Sequence, residues 1–239
     1  MFLKGSIYIY MSRLIEDRSL RDKVRVFKDR KEAGILLAKT LSGYRGADGI
    51  VLGVPSGGVP VAAEVAEALG LPLDLVIVRK VQIPYNPEAG FGAVGPDSEV
   101  SLNADLVSRL GLTEKEVERQ IQKTKDIINS RNELFRGGLP FPSLRDRVVI
   151  IVDDGLASGY TMLSAVDFIK SHRPEKVVVA VPTAPKRTVD LILPHVDELV
   201  CLNVRSGLVF AVADAYENWY DLEDEEVISI LQSLRGRRR

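Results

Sequence analysis

Val148-Val149-Ile150-Ile151-Val152-Asp153-Asp154-Gly155-Leu156-Ala157-Ser158-Gly159-Tyr160-Thr161 decides how this chain reads. The run Val148 to Val152 is β-branched throughout, which suits a central strand covered on both faces. Two acids follow, then a loop of small and hydroxyl residues. A helix opens near Gly159 and carries Met162, Leu163, Val166 and Ile169 on one face. A helix N-terminus presents unpaired N–H groups at the positive end of its dipole, so a loop there favours an anion. Gly155 and Gly159 let the backbone come close to that anion, and Ser158 and Thr161 add hydroxyl donors. Asp153 and Asp154 would repel a phosphate but can accept hydrogen bonds from sugar hydroxyls. The composite suits a phosphorylated sugar. A plain turn explains Asp-Gly alone, but the succession of strand, acids, loop and helix asks for more.

Gly49-Ile50-Val51-Leu52-Gly53-Val54 is a second short apolar strand. Pro55-Ser56-Gly57-Gly58-Val59-Pro60 follows, then a helix with Val61, Ala62, Val65, Ala66 and Leu69 on one face. The backbone of such a loop is again an anion site, or else an ordinary strand-to-helix turn. Leu73-Asp74-Leu75-Val76-Ile77-Val78-Arg79-Lys80 reads as a third strand ending in two cations. Cations at the carboxyl end of a central strand sit where open α/β sheets bind ligands; the alternative is a solvated strand end. The stretch from Ile83 to Pro96 is rich in Pro and Gly and has no helical period, which predicts a long irregular loop.

Residues 148–161 resemble the phosphoribosyl-pyrophosphate (PRPP) signature of the type I phosphoribosyltransferases: apolar strand, Asp-Asp, small residues, Thr-Gly-x-Thr, with Ser158 in place of the first Thr. The resemblance implies that Asp153 and Asp154 hold the ribose 2′- and 3′-hydroxyls. It implies that Gly155, Leu156, Ala157, Ser158, Gly159, Tyr160 and Thr161 cradle the 5′-phosphate. Ser56, Gly57, Gly58, Arg79 and Lys80 would meet pyrophosphate, with Lys80 joining the two acids as a catalytic residue. One subgroup of the family carries Pro-Arg-Gly-Gly-Val-Pro-Val-Ala at the second loop. Ser56 replaces that arginine, so the loop must rely on N–H groups and a hydroxyl. Phe27, Asp29 and Arg30 also match the start of this subgroup. In purine phosphoribosyltransferases an aromatic residue of a Phe-Val-Val-Gly run stacks on the base. Here Phe210 could stack, with the backbone near Val212 reading base edges; Trp219 and Tyr220 fit core or hood packing better.

The implied fold is α/β: a twisted, mainly parallel sheet with helices on both faces and a hood from about residues 80 to 135 that closes over the site. The expected domain is 26–230, with an N-terminal extension over 1–25, in which Met1 or Met11 is the start, and a basic tail over 231–239. The implied activity is transfer of 5-phosphoribose from PRPP to a nitrogenous base or other amine. Mg²⁺ would ride on the substrate, with no metal-ligating residues of the protein's own. A non-enzymatic PRPP- or nucleotide-sensing regulator of the same fold is the rival. A kinase-like or hydrolytic phosphate binder is disfavoured by the lack of a Walker lysine loop.

Composition agrees with a globular protein. Of 239 residues, 46% are hydrophobic and 27% charged. The 32 basic and 33 acidic residues leave a net charge of −1, which argues against nucleic acid as a partner. The single Cys201 excludes an intrachain disulfide and suits a reducing, cytoplasmic setting; it lies in an apolar run and reads as core. His172 and His195 read as helix-end residues and form no metal pair. No apolar run is long enough for a membrane span. Thr113-Glu114-Lys115-Glu116 is a capping box opening a long charged helix that Gly137-Gly138 stops. That helix covers the hood or makes a subunit contact in an expected homo-oligomer. After the signature, strands over 177–181 and 196–202 flank a helix over 185–193, and this alternation implies a parallel sheet.

Overall fold

The computed structural model describes residues 13–236. In chain order the elements are β1 (Arg13–Ile15), α1 (Arg30–Thr40), β2 (Gly49–Gly53), α2 (Gly58–Leu69), β3 (Leu73–Leu75), β4 (Arg79–Ile83), β5 (Asn86–Val94), β6 (Val100–Leu102), α3 (Ala104–Leu110), α4 (Glu114–Arg136), β7 (Val148–Val152), α5 (Tyr160–Ser171), β8 (Lys176–Pro185), α6 (Lys186–Ile192), β9 (Glu198–Arg205) and α7 (Asp224–Gly236). Six strands form one parallel sheet in the order β1-β9-β8-β7-β2-β3. β8 and β7 lie at its centre, and β7 and its neighbour β2 are buried along their whole length.

The continuous apolar run of β7 divides by alternate residues between two cores. Val149 and Ile151 pack with Met162, Val166 and Ile169 of α5. Val148, Ile150 and Val152 face Leu37 of α1 and Val61 and Val65 of α2. Helices therefore cover both faces, which is why a strand here needs no polar side. Cys201 is fully buried, as its apolar setting predicts.

β4, β5 and β6 form a small antiparallel sheet. Its inner side joins Ile128 and Phe135 of α4 and Val227 and Leu231 of α7 in a third core. This unit is the hood. α4 begins at the expected Thr113–Glu116 capping box and stops at Gly137, whose φ is 62°. The buried Arg136 at its end donates from Nε to Asp74 Oδ1 (2.8 Å) and from Nη2 to the Pro140 carbonyl (2.9 Å), tying the hood to β3. His172 at the end of α5 lies 3.1 Å from Asp97 of the hood turn; His195 closes a short 3₁₀ turn after α6.

Four expectations change. Residues 73–80 do not form one strand. β3 is an edge strand and ends at Leu75, because its neighbour β2 stops at Gly53: Val76 N donates to Gly53 O and the ladder goes no further. Arg79 and Lys80 accordingly open β4 of the hood instead of ending a central strand. The stretch 83–96 is mostly an ordered hairpin arm, β5; two register shifts against β4 break the alternation that would reveal it. Within the stretch read as an extension, Arg13–Ile15 pairs in parallel with Glu198–Val200 and is part of the sheet. α7 runs across residue 231, where the expected basic tail begins. Met1, Met11 and Arg237 to Arg239 lie outside the described residues.

Candidate functional site

The site forms where β7 and β2, adjacent and in register from Gly49↔Val148 to Gly53↔Val152, both release their chains at the same end of the sheet. The loop after β7 runs from Asp153 to Gly159, and that after β2 from Val54 to Gly57, where the Pro55–Ser56 peptide is cis. The loops press on each other. A Cβ on Gly57 would lie 2.6 Å from Asp154 Cγ, and one on Gly58 would lie 2.8 Å from Asp153 Cα. Glycine is needed at these two positions because the acids of one loop occupy the space a side chain would need.

The two acids differ. Asp154 is 8% exposed, and its Oδ2 accepts from Arg30 Nε at 2.9 Å. Its carbonyl accepts from the Tyr216 hydroxyl at 2.6 Å. Asp153 is intermediate in exposure as a residue, although its carboxyl sits in dense surroundings, and its Oδ1 accepts from the Asp154 amide at 2.9 Å. Burial pushes the Asp153 carboxyl well above the ordinary aspartate range, and the neighbouring Asp154 charge pushes it further. Burial also raises Asp154, against the lowering pull of Arg30. Burial of Tyr216, followed by the nearby Asp154 charge, holds its phenol well above its usual value.

The rest of the signature loop has two sides. Leu156 is buried; its amide donates to Thr183 O (3.0 Å), so this residue anchors the loop. The Ala157 carbonyl accepts from Thr188 Oγ1 (2.6 Å). Ala157, Ser158, Tyr160 and Thr161 are exposed. Gly159 caps α5 in the left-handed region, φ 82°, so the first amides of α5 point out of the helix end with no helical acceptor. Gly155 serves packing more than ligand approach: a Cβ there would meet Val212 Cγ1 at 2.5 Å. This contact brings Val212 against the signature loop. Phe210 is half-buried, its ring centroid 5.4 Å from the Arg205 guanidinium carbon, beside the almost fully exposed Leu208.

The structure thus gathers Asp153 to Thr161, Ser56 to Gly58 and Val212 at one end of the sheet. Arg79 and Lys80 stand exposed on the hood strand that leaves this region. Arg30 was noted in the sequence without a role. Its partner lies 124 residues away, so no local pattern could assign one. Trp219, expected in packing, lies 3.9 Å beneath the Arg30 guanidinium. Two cavities lie outside the loops themselves, neither lined by a loop residue: one of about 530 Å³ between the hood and α5, lined by Ala93, Ser101 and Phe168, and one of about 450 Å³ beside Arg30, lined by Glu64, Tyr220 and Glu226. Among the described residues no three His, Cys, Asp or Glu side chains converge as metal ligands, and no helix is long and apolar enough to cross a membrane.

Known proteins give the family of the chain. "Putative phosphoribosyl transferase MT0597" of Mycobacterium tuberculosis strain CDC 1551 is 40% identical over 208 residues, covering 87% of this chain and 47% of its own length. The same figures hold for Rv0571c, of the same description, from strain H37Rv. The chain therefore spans about half the length of the curated relatives it matches. The crystal structure of TT1426 from Thermus thermophilus superposes with a TM-score of 0.77 at 38% identity, covering 87% of this chain and 98% of that one. The model of the phosphoribosyl transferase domain matches residues 28–217. Because that match runs from just before α1 to the segment after β9, the chain belongs to the phosphoribosyl transferase family and has its type I fold.

Proposed function

We propose that this protein transfers 5-phosphoribose from PRPP to a nitrogen acceptor, a base or another amine, and releases pyrophosphate. The observation that carries the reading is the contact of the two loops at Gly57 and Asp154. It sets the acid pair, with Asp153 available for sugar hydroxyls, between two groups of backbone amides suited to phosphates.

On this reading the exposed amides at the start of α5, with the hydroxyls of Ser158 and Thr161, hold the 5′-phosphate. Asp153, the less buried acid, faces the ribose, and the second loop and Lys80 face the diphosphate. A ribosyl centre develops positive charge as the diphosphate leaves, so the protein's contribution is positioning and stabilisation of the leaving group. Mg²⁺ bound to the diphosphate would neutralise part of its charge. The residues present fit an ion carried by the substrate, since Asp154 is engaged with Arg30 and no carboxylate cage stands beside the loops among the described residues. Phe210 and Val212 are proposed to border the acceptor. Homo-oligomeric assembly and a cytoplasmic location belong to the same proposal.

Ser56, where a subgroup of the family has arginine, favours a second reading: a PRPP- or nucleotide-binding regulator without turnover. Incubation with PRPP, Mg²⁺ and a panel of bases and amines, read by pyrophosphate release, separates the two. Release with an acceptor supports transfer. PRPP binding without release for any acceptor favours the regulator, and failure to bind PRPP refutes transfer and leaves a regulator only if it binds a nucleotide.

A further inference from the structure

We infer that Arg30 is the positioning residue of the ribose site: it holds Asp154 as a carboxylate turned to one side and leaves Asp153 to meet the sugar hydroxyls. The inference rests on the ribosyl reading above. Arg30 is the first residue of α1, directly after the Asp29 cap, and is 7% exposed. Three contacts fix its guanidinium. Nε donates to Asp154 Oδ2 (2.9 Å), Nη1 donates to the Tyr220 carbonyl (2.8 Å), and the group stacks 3.9 Å from the Trp219 ring centroid. A planar fork held in this way has one orientation, which lysine could not copy.

Asp154 is fixed as firmly. Its carboxylate meets Arg30, its carbonyl accepts from Tyr216, and its amide donates to Asp153 Oδ1. The charged or titratable groups around it are therefore Arg30 from α1, Tyr216 from the segment after β9, and Asp153 beside it; Pro55 to Gly58 bring none. A buried ion pair is a poor source of stability compared with apolar packing. Its place at the end of the central strand suits a site role. Arg30 also joins distant parts of the chain. Through Trp219 and Tyr220 it holds the C-terminal segment over the acids, so the geometry of Asp154 depends on that segment.

The test compares wild type, Arg30→Lys, Arg30→Gln and Arg30→Gln/Asp154→Asn. PRPP affinity is measured by calorimetry across about pH 5.5 to 8.5, spanning the rise of a desolvated carboxyl. Apo carboxyl signals are followed by ¹³C NMR over the same range. Wild type sets the baseline profile, in which the raised Asp153 carboxyl and the phosphates of PRPP titrate, and Arg30→Lys, which keeps the charge, should run nearly parallel to it. Arg30→Gln should bind about 10- to 100-fold more weakly at the acid end, because a protonated Asp154 released by Arg30 can turn and donate to Asp153, occupying the acceptor the sugar needs, and recover as pH rises. Its Asp154 signal should titrate higher than in wild type. The double variant removes both buried charges, so it should fold and lose the pH dependence even if Arg30→Gln alone does not fold. An Arg30→Gln profile parallel to wild type at every pH, or an unmoved Asp154 signal, overturns the inference. If wild type binds no PRPP, the ribosyl reading falls, and the carboxyl signals still decide whether Arg30 controls Asp154.

Discussion

Gly57→Ala isolates the loop contact on which the site depends. Gly57 has φ −60° and ψ −34°, a conformation that alanine adopts freely. On backbone grounds alone the change should stabilise by about 0.4–1 kcal/mol, through the unfolded chain. The new methyl would lie 2.6 Å from Asp154 Cγ and 3.0 Å from Oδ1, with Oδ2 closer still. Carbon atoms rest comfortably at about 3.5–4 Å. The carboxylate must therefore retreat by about 1 Å, which stretches its 2.9 Å bond to Arg30 beyond hydrogen-bond range. Breaking a buried pair costs about 3–5 kcal/mol. Set against the backbone gain, the net loss should be about 2–4 kcal/mol. Urea unfolding, compared at constant m, measures it. Gly43→Ala is the control, because a Cβ there meets nothing within 4 Å; it should show only the backbone gain of about 0.4–1 kcal/mol. A Gly57→Ala protein within about 1 kcal/mol of wild type, with the Arg30–Asp154 bond intact, would refute the reasoning.

Arg136→Met should destabilise by about 2–4 kcal/mol in the same assay, since it strands Asp74 without its guanidinium partner; adding Asp74→Asn should recover part of the loss. Asp153→Asn should stabilise the fold at neutral pH. The raised carboxyl means that the folded state binds its proton more tightly than the unfolded chain, so wild-type stability falls as pH rises from the ordinary value of 3.8 through the elevated one. Melting curves should converge below that range and separate above it. Burial pushes the Cys201 thiol up, so a thiol reagent should leave the native protein unlabelled and react once per chain after unfolding.

What was legible in the sequence was local. β7, its acids, the small-residue loop and α5 occupy consecutive positions, and the same holds for β2, its loop and α2. Strand ends were harder, because a strand stops when its neighbour stops. The apolar run continues through Val76, Ile77 and Val78, but β2 has already turned away at Gly53. The hood hairpin was hidden by register shifts that break its alternation. β1 pairs over only three residues, too short for any periodic signal. The Arg30–Asp154 pair joins the start of the first helix to the end of the central strand, and only the tertiary fold creates it. The same pair altered the reading of the acids. The sequence presents them as equivalent, whereas packing engages one and leaves the other partly open.

The central claim is that a ribosyl phosphate binds with its sugar hydroxyls on Asp153. Calorimetry with PRPP and Mg²⁺ on wild type and Asp153→Asn tests it most directly, because this substitution leaves the Arg30–Asp154 bond in place. The account predicts binding by wild type and a loss of about 10- to 100-fold in the variant, one charge-assisted hydrogen bond's worth. Unchanged affinity in Asp153→Asn, or no PRPP binding by wild type, would contradict it.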